Sequence, residues 1–150
     1  MNRFFSIKKY GHDRGLSVAF RQWRADSHCK FMHGYSLEFE FVFGANELDE
    51  NNWVVDFGGL KDLETWLRAN FDHKTLVAFD DPKISIFEEM NECEAIDMVV
   101  VEATGCEMFA KIAMKYSSDL IETLYGDRCW VESVTVREHG ANSAICKRTS

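Results

Sequence analysis

Between residues 36 and 43 the chain alternates without a break: Leu37, Phe39, Phe41 and Phe43 fall to one side, Glu38 and Glu40 to the other. Successive strand side chains point to opposite faces, so this pattern predicts a strand with one aromatic face and one acidic face. Four large apolar side chains in a row need cover, and a helix or a second sheet must lie across them.

The rest of the chain supplies that cover. From residue 58 to 71, Leu60, Leu63, Leu67 and Phe71 recur at three- and four-residue steps behind Asp56, which predicts a capped amphipathic helix. A β-rich run over 97–102 leads into Thr104-Gly105-Cys106-Glu107, whose spacing fits a capping box, and then to Phe109, Ile112, Ala113, Tyr116, Leu120 and Leu124 at helical spacing. A last strand over 131–138 places Val134, Val136 and Glu138 on one face and Thr135 and Arg137 on the other. Residues 83–92 suit a short further helix. The order predicts an α+β fold: an antiparallel sheet with two main helices on one face.

One domain over residues 1–150 is expected. The chain has 46% apolar residues including 12 Phe, enough for a continuous core, and its single proline, Pro82, sits in a turn-like segment rather than a linker. A net charge of -8 with no run of Lys or Arg excludes a phosphate-backbone surface, so no nucleic-acid partner is expected. No apolar stretch approaches the roughly 20 residues of a membrane span, and the N-terminus lacks an apolar signal block. A cytoplasmic protein follows. Its 5 cysteines are odd in number and scattered, with no CxxC, which predicts reduced thiols.

Three groups of residues can carry chemistry. Cys29 and His33 lie four apart just before the Phe-rich strand, which fits a thiol activated by a nearby base, or equally a packed cysteine beside an ordinary histidine. Asp72-His73 closes the first helix, where a carboxylate can fix the imidazole tautomer and raise its basicity, or where both side chains are simply solvated. Glu138 shares the face of Val134 and Val136, so its carboxylate is partly buried and needs donors. Adjacent N–H groups of an aminopyrimidinone ring would serve, as would a neighbouring Arg or Lys. Glu107 reads first as the capping-box partner of Thr104.

Taken together, these positions resemble the family of 6-pyruvoyl- and 6-carboxy-tetrahydropterin synthases over nearly the whole chain. Ser17-Val18-Ala19-Phe20-Arg21 is similar to the family's Ser-Ala-Ala-His-Arg, and Cys29-x-x-x-His33-Gly34-Tyr35 to its Cys-x-x-x-His-Gly-His. Residues 53–61 resemble Met-Val-x-Asp-Phe-x-x-Leu-Lys, and Phe71-Asp72-His73-Lys74-Thr75-Leu76 resembles Leu-Asp-His-x-x-Leu. Thr104-Gly105-Cys106-Glu107 stands at Pro-Thr-x-Glu, and Val136-Arg137-Glu138 at the terminal Val-x-Glu.

The resemblance implies a tunnelling fold, whose sheets join into an oligomeric barrel with active sites between subunits. It implies Cys29 as catalytic thiol, Asp72 and His73 as the proton-transfer pair, and Glu138, with Glu107, as carboxylates facing the pterin. The spacing of Cys29 and His33 resembles the carboxy-forming branch, a lyase on 7,8-dihydroneopterin triphosphate in the route to 7-deazaguanines such as queuosine. A non-catalytic or metal-independent binder of pterins or guanine-like ligands is the alternative.

The family holds zinc with three histidines, and here only His33 stands in place. Phe20 and Tyr35 occupy the other two positions. His12 and His28 are the remaining imidazoles that could rebuild a zinc site with His33. Lys8, Lys9, Arg14, Arg21 and Arg24 are candidates for a triphosphate.

Overall fold

The computed structural model describes residues 1–150. Its strands are β1 (Phe4–Tyr10), β2 (Ser17–Phe20), β3 (His33–Ser36), β4 (Glu38–Ala45), β5 (Lys74–Ala78), β6 (Met98–Val101), β7 (Cys129–His139) and β8 (Asn142–Lys147). Its helices are α1 (Lys61–Phe71), α2 (Ile84–Glu92) and α3 (Cys106–Tyr125). The short helix expected over 83–92 is therefore present, as α2.

The alternating segment behaves as its pattern requires. β4 pairs with β1 and β7 inside a four-stranded antiparallel sheet of order β1-β4-β7-β8. Leu37, Phe39, Phe41 and Phe43 are wholly buried, while Glu38 and Glu40 meet Arg137 across the opposite face at 2.9 and 3.2 Å. An extra residue in β7, between the partners of Val42 and Phe43, forms a bulge that turns both Val131 and Val134 to the core.

A second sheet has the order β3-β2-β5-β6. Antiparallel pairing was expected throughout, but here β2 pairs parallel with β5 and β5 parallel with β6. For β5 and β6 the physical reason is the connection: α2 carries the chain from the end of β5 back to its start, and a strand entered by such a crossover must run parallel to the one it left.

The two sheets share one core through α1 and α3. Leu63, Leu67 and Phe71 of α1 and Phe109, Ala110, Ala113 and Ile121 of α3 are its buried stripes. Aromatic rings run through it in a chain: Phe39 to Phe71 at 4.8 Å, Phe71 to Phe109 at 5.7 Å, Phe109 to Phe20 at 5.0 Å. That chain ties the first sheet to β2 of the second.

Both predicted helix starts differ in detail. Asp56 caps a single 3-10 turn, Phe57–Gly59, by accepting the Gly58 N–H at 2.9 Å, and α1 begins only after it. The Thr104 capping box does not form. The Thr104 hydroxyl instead donates to the Arg21 carbonyl at 2.7 Å, and Gly105 caps α3 with no side-chain bond. Gly105 has φ +114, a backbone conformation that selects glycine over any residue with a side-chain cap.

Candidate functional site

The end of β2 opens into a loop whose single 3-10 turn, His28–Lys30, carries Cys29. Ser27 Oγ accepts the Cys29 N–H at 3.3 Å, and the Cys29 carbonyl accepts the Gln22 N–H at 2.9 Å. The loop is fixed from outside by Arg21, which donates to the Lys30 carbonyl at 3.1 Å while forming two bonds to buried Asp81. Cys29 is thus a half-buried thiol on an anchored turn.

Around it converge β3, β7 and the first turn of α3. Tyr35 of β3 faces Glu138 of β7, with Cys29 and Cys106 close enough to be felt electrostatically. Burial first, and then the Glu138 carboxylate, raises the Tyr35 phenol above its ordinary value. The same two causes, in the same order, push the buried Cys106 thiol up to about 12, with Glu107 adding to the effect. Glu138 occupies the interior side of β7 as its alternation requires, is half-buried, and forms no ion pair with any Arg or Lys. Arg137, which the sequence offers as its neighbour, serves Glu38 and Glu40 on the other face. Glu107 stands exposed in the first turn of α3, where a carboxylate suits the helix dipole. Cys106 was named in the sequence only as part of a cap; its placement one residue before Glu107, at the start of the helix, was the signal that could have found it.

The expected Asp72–His73 pair forms. His73 Nδ1 and Asp72 Oδ1 are 2.6 Å apart, and Asp72 also accepts from Arg68 Nη1 at 3.1 Å. The His73 hydrogen bond chiefly, assisted by Arg68, lowers Asp72 below the usual carboxylate range. His73 has φ +56, a conformation a non-glycine residue adopts at a cost of roughly 1–2 kcal/mol, and its ring is largely exposed. Held strain of this kind clusters at functional positions.

The pair and the thiol attach to the fold at different points. His73 precedes Lys74, which pairs with Val18, whereas Cys29 is tied to Gln22. Val18 lies within β2, and Gln22 lies past its end, four residues further along the chain.

The imidazoles offered for zinc do not converge either. His12 Nδ1 lies 2.5 Å from the Ser36 carbonyl, at the far end of β3 from His33. His28 is exposed, and His33 Nδ1 lies 2.7 Å from the Phe31 carbonyl. Nowhere do three His, Cys, Asp or Glu side chains form a group that could hold a metal. The donor set therefore does not fit the zinc of the resembled family. Of the phosphate candidates, Arg14, Arg21 and Arg24 are paired with Glu64, Asp81 and Asp80, which leaves Lys8 and Lys9 outside any ion pair. A separate groove of about 500 Å³ beside Phe4, Phe5, Trp53 and Phe57 holds Asp56 as its single ionisable group and no thiol or imidazole. No helix is long and apolar enough to cross a membrane.

Two sheets share a helical core, and the thiol of Cys29, the phenol of Tyr35 and the interior carboxylate of Glu138 gather beside it in an α+β fold. The family profile described as 6-pyruvoyl tetrahydropterin synthase matches residues 11–149, and the chain belongs to that family. A relative from Rickettsia typhi, a 6-carboxy-5,6,7,8-tetrahydropterin synthase, is 40% identical over 57 residues, 37% of this chain and 41% of that protein. The chain thus matches less than half the length of that curated relative. Among solved structures, an uncharacterized protein of Wolinella succinogenes superposes with TM-score 0.83 at 16% identity, covering 99% of this chain and 100% of that one. A Plasmodium vivax 6-pyruvoyltetrahydropterin synthase superposes with TM-score 0.72 at 15% identity, covering 100% of both. These likenesses establish the tunnelling fold.

Proposed function

We propose that the protein is a lyase of the 6-carboxy-tetrahydropterin synthase type, acting on 7,8-dihydroneopterin triphosphate or a related pterin in 7-deazaguanine or pterin biosynthesis. The observation that carries this reading is Glu138: a half-buried carboxylate on the interior side of β7, without an ion pair, near Tyr35, which Cys29 also approaches. An aminopyrimidinone presents two adjacent N–H donors that such a carboxylate accepts together, which would hold the ring with its side chain toward the thiol.

In this reading Cys29 and the Asp72–His73 pair move protons at the hydroxylated side chain of the ligand. Asp72 fixes the His73 tautomer, and the free imidazole nitrogen exchanges the proton. The pair attaches beside Val18 and the thiol beside Gln22, which suits a working site that joins Cys29 of one subunit to His73 of another, in a cytoplasmic homo-oligomer. Free edges at β1 and β8 of the first sheet suit such assembly.

The test is incubation of the purified protein with 7,8-dihydroneopterin triphosphate, with and without added zinc, followed by chromatography of the pterins. Side-chain cleavage in the wild type and its loss in Cys29→Ala are expected. No product under either condition sinks the lyase reading. Phe20 and Tyr35 at two family ligand positions favour a second reading, a pterin- or guanine-binding protein without lyase activity. Heat of binding with neopterin or GTP, but no turnover, would select it.

A further inference from the structure

At the three positions where the resembled family holds zinc, this chain packs rings on one another. Phe20 and His33 centroids are 4.9 Å apart, Phe20 and Tyr35 6.1 Å, His33 and Tyr35 5.6 Å. Phe20 is wholly buried and meets Phe109 edge-on at 5.0 Å, so hydrocarbon belonging to the core fills the place of the first ligand. His33 has one ring nitrogen engaged by the Phe31 carbonyl at 2.7 Å. A structural or catalytic zinc takes about three protein ligands, and one imidazole beside a phenol falls short of that.

Tyr35 differs from its ring neighbours in carrying a polar tip. It is half-buried, its ring lies 6.1 Å from that of His139, and its hydroxyl faces Glu138 on the side where Cys29 stands. An O–H held in such a site can donate to a ligand oxygen on which negative charge develops. Tyr35 sits in register with Val18 of β2, so the backbone on either side of it is fixed by the sheet.

We propose that this site handles its ligand without zinc, and that the Tyr35 hydroxyl, a neutral donor, makes the contact to the ligand's side-chain oxygen that a metal would otherwise polarise. The proposal rests on the pterin reading of the Glu138 pocket for the ligand, but its metal half stands on the ring packing alone.

The experiment uses the full chain, equilibrated with zinc and dialysed, with and without EDTA. Metal content is measured by elemental analysis, 7,8-dihydroneopterin binding by calorimetry, and folding of each variant by thermal unfolding. Expected are no stoichiometric zinc in the wild type or in His33→Ala, binding unchanged by EDTA, and about tenfold weaker binding in a folded Tyr35→Phe, the loss of one hydrogen bond. About one zinc per chain that disappears in His33→Ala overturns the metal half, as does binding that requires zinc. Wild-type affinity in Tyr35→Phe overturns the tyrosine's role. No binding under any condition removes the pterin reading and the role of Tyr35 together, and zinc content then decides the metal half by itself.

Discussion

Arg21 holds Asp81 through two hydrogen bonds, Nε to Oδ2 at 2.8 Å and Nη2 to Oδ1 at 2.6 Å, while its remaining terminal nitrogen donates to the Lys30 carbonyl beside Cys29. One guanidinium thus couples the turn after β5 to the thiol-bearing loop. Asp81 is almost wholly buried, and removing one partner leaves the other charge stranded. Asp81→Ala is expected to cost roughly 3–5 kcal/mol in urea unfolding. Arg21→Lys, which cannot make the paired contact, should also loosen the Cys29 loop, seen as faster amide exchange over residues 27–31. Unchanged exchange would separate the ion pair from loop order.

The same pair sets an acid limit. Burial raises the Asp81 carboxyl, but Arg21 and the Lys83 amide outweigh it, and the net effect is below the usual carboxylate value. A lowered folded value means that the stabilisation is present above the unfolded carboxylate value of about 3.9 and is lost as pH falls below it. Wild type should lose stability as pH falls below about 4 more steeply than Asp81→Asn, in unfolding midpoints measured at each pH.

Cys106 gives a prediction of opposite sign. Its thiol is pushed up to about 12, so the neutral form stabilises the fold below the unfolded thiol value of about 8.5, and that contribution disappears as pH rises toward about 12. At pH 8 its thiolate fraction is about one in 10⁴, and thiolate is the reactive form. Native protein should be modified by a thiol reagent at exposed Cys93 well before Cys106 and Cys129, which are buried. Mass mapping showing early labelling of Cys106 would contradict this placement.

Gly105→Ala should cost about 1–3 kcal/mol, since φ +114 is essentially restricted to glycine. The Gln22 side chain that a Cβ would meet can swing aside, so the backbone and not the contact sets the loss. Phe71→Ala, at the centre of the aromatic chain, should cost about 3–5 kcal/mol. Denaturant midpoints measure both.

If the working site spans two subunits, Cys29→Ala and His73→Ala are each inactive alone, and mixing them with reversible denaturation and reassembly restores part of the wild-type rate. No recovery from the mixture would place both groups in one chain's site.

Much of this fold could be read along the chain because its strongest patterns are local. The Phe39–Phe43 alternation and the Leu63–Leu67–Phe71 stripe each mark one buried face, and both faces are buried as marked. Parallel pairing of β5 with β2 was not legible, since it depends on where α1 delivers the chain and leaves no mark in β5 itself. The same limit applied to Thr104: its spacing from Glu107 fits a cap, but the Arg21 carbonyl, 83 residues away in sequence, is the better acceptor in space. Glu138 could be placed on the interior side of β7 by alternation, whereas its neighbours Tyr35 and Cys106 belong to other elements. Cys29 and Asp72–His73 were read as one set, whereas the fold attaches them beside Gln22 and Val18, four residues apart along the chain.

That separation has a consequence for how such an enzyme would behave in dilute solution. If the thiol of one subunit works with the proton-transfer pair of another, a monomer holds two half-sites and no whole one. Specific activity would then fall on dilution as subunits part, and lost chains would reduce the catalytic rate faster than they reduce the amount of protein.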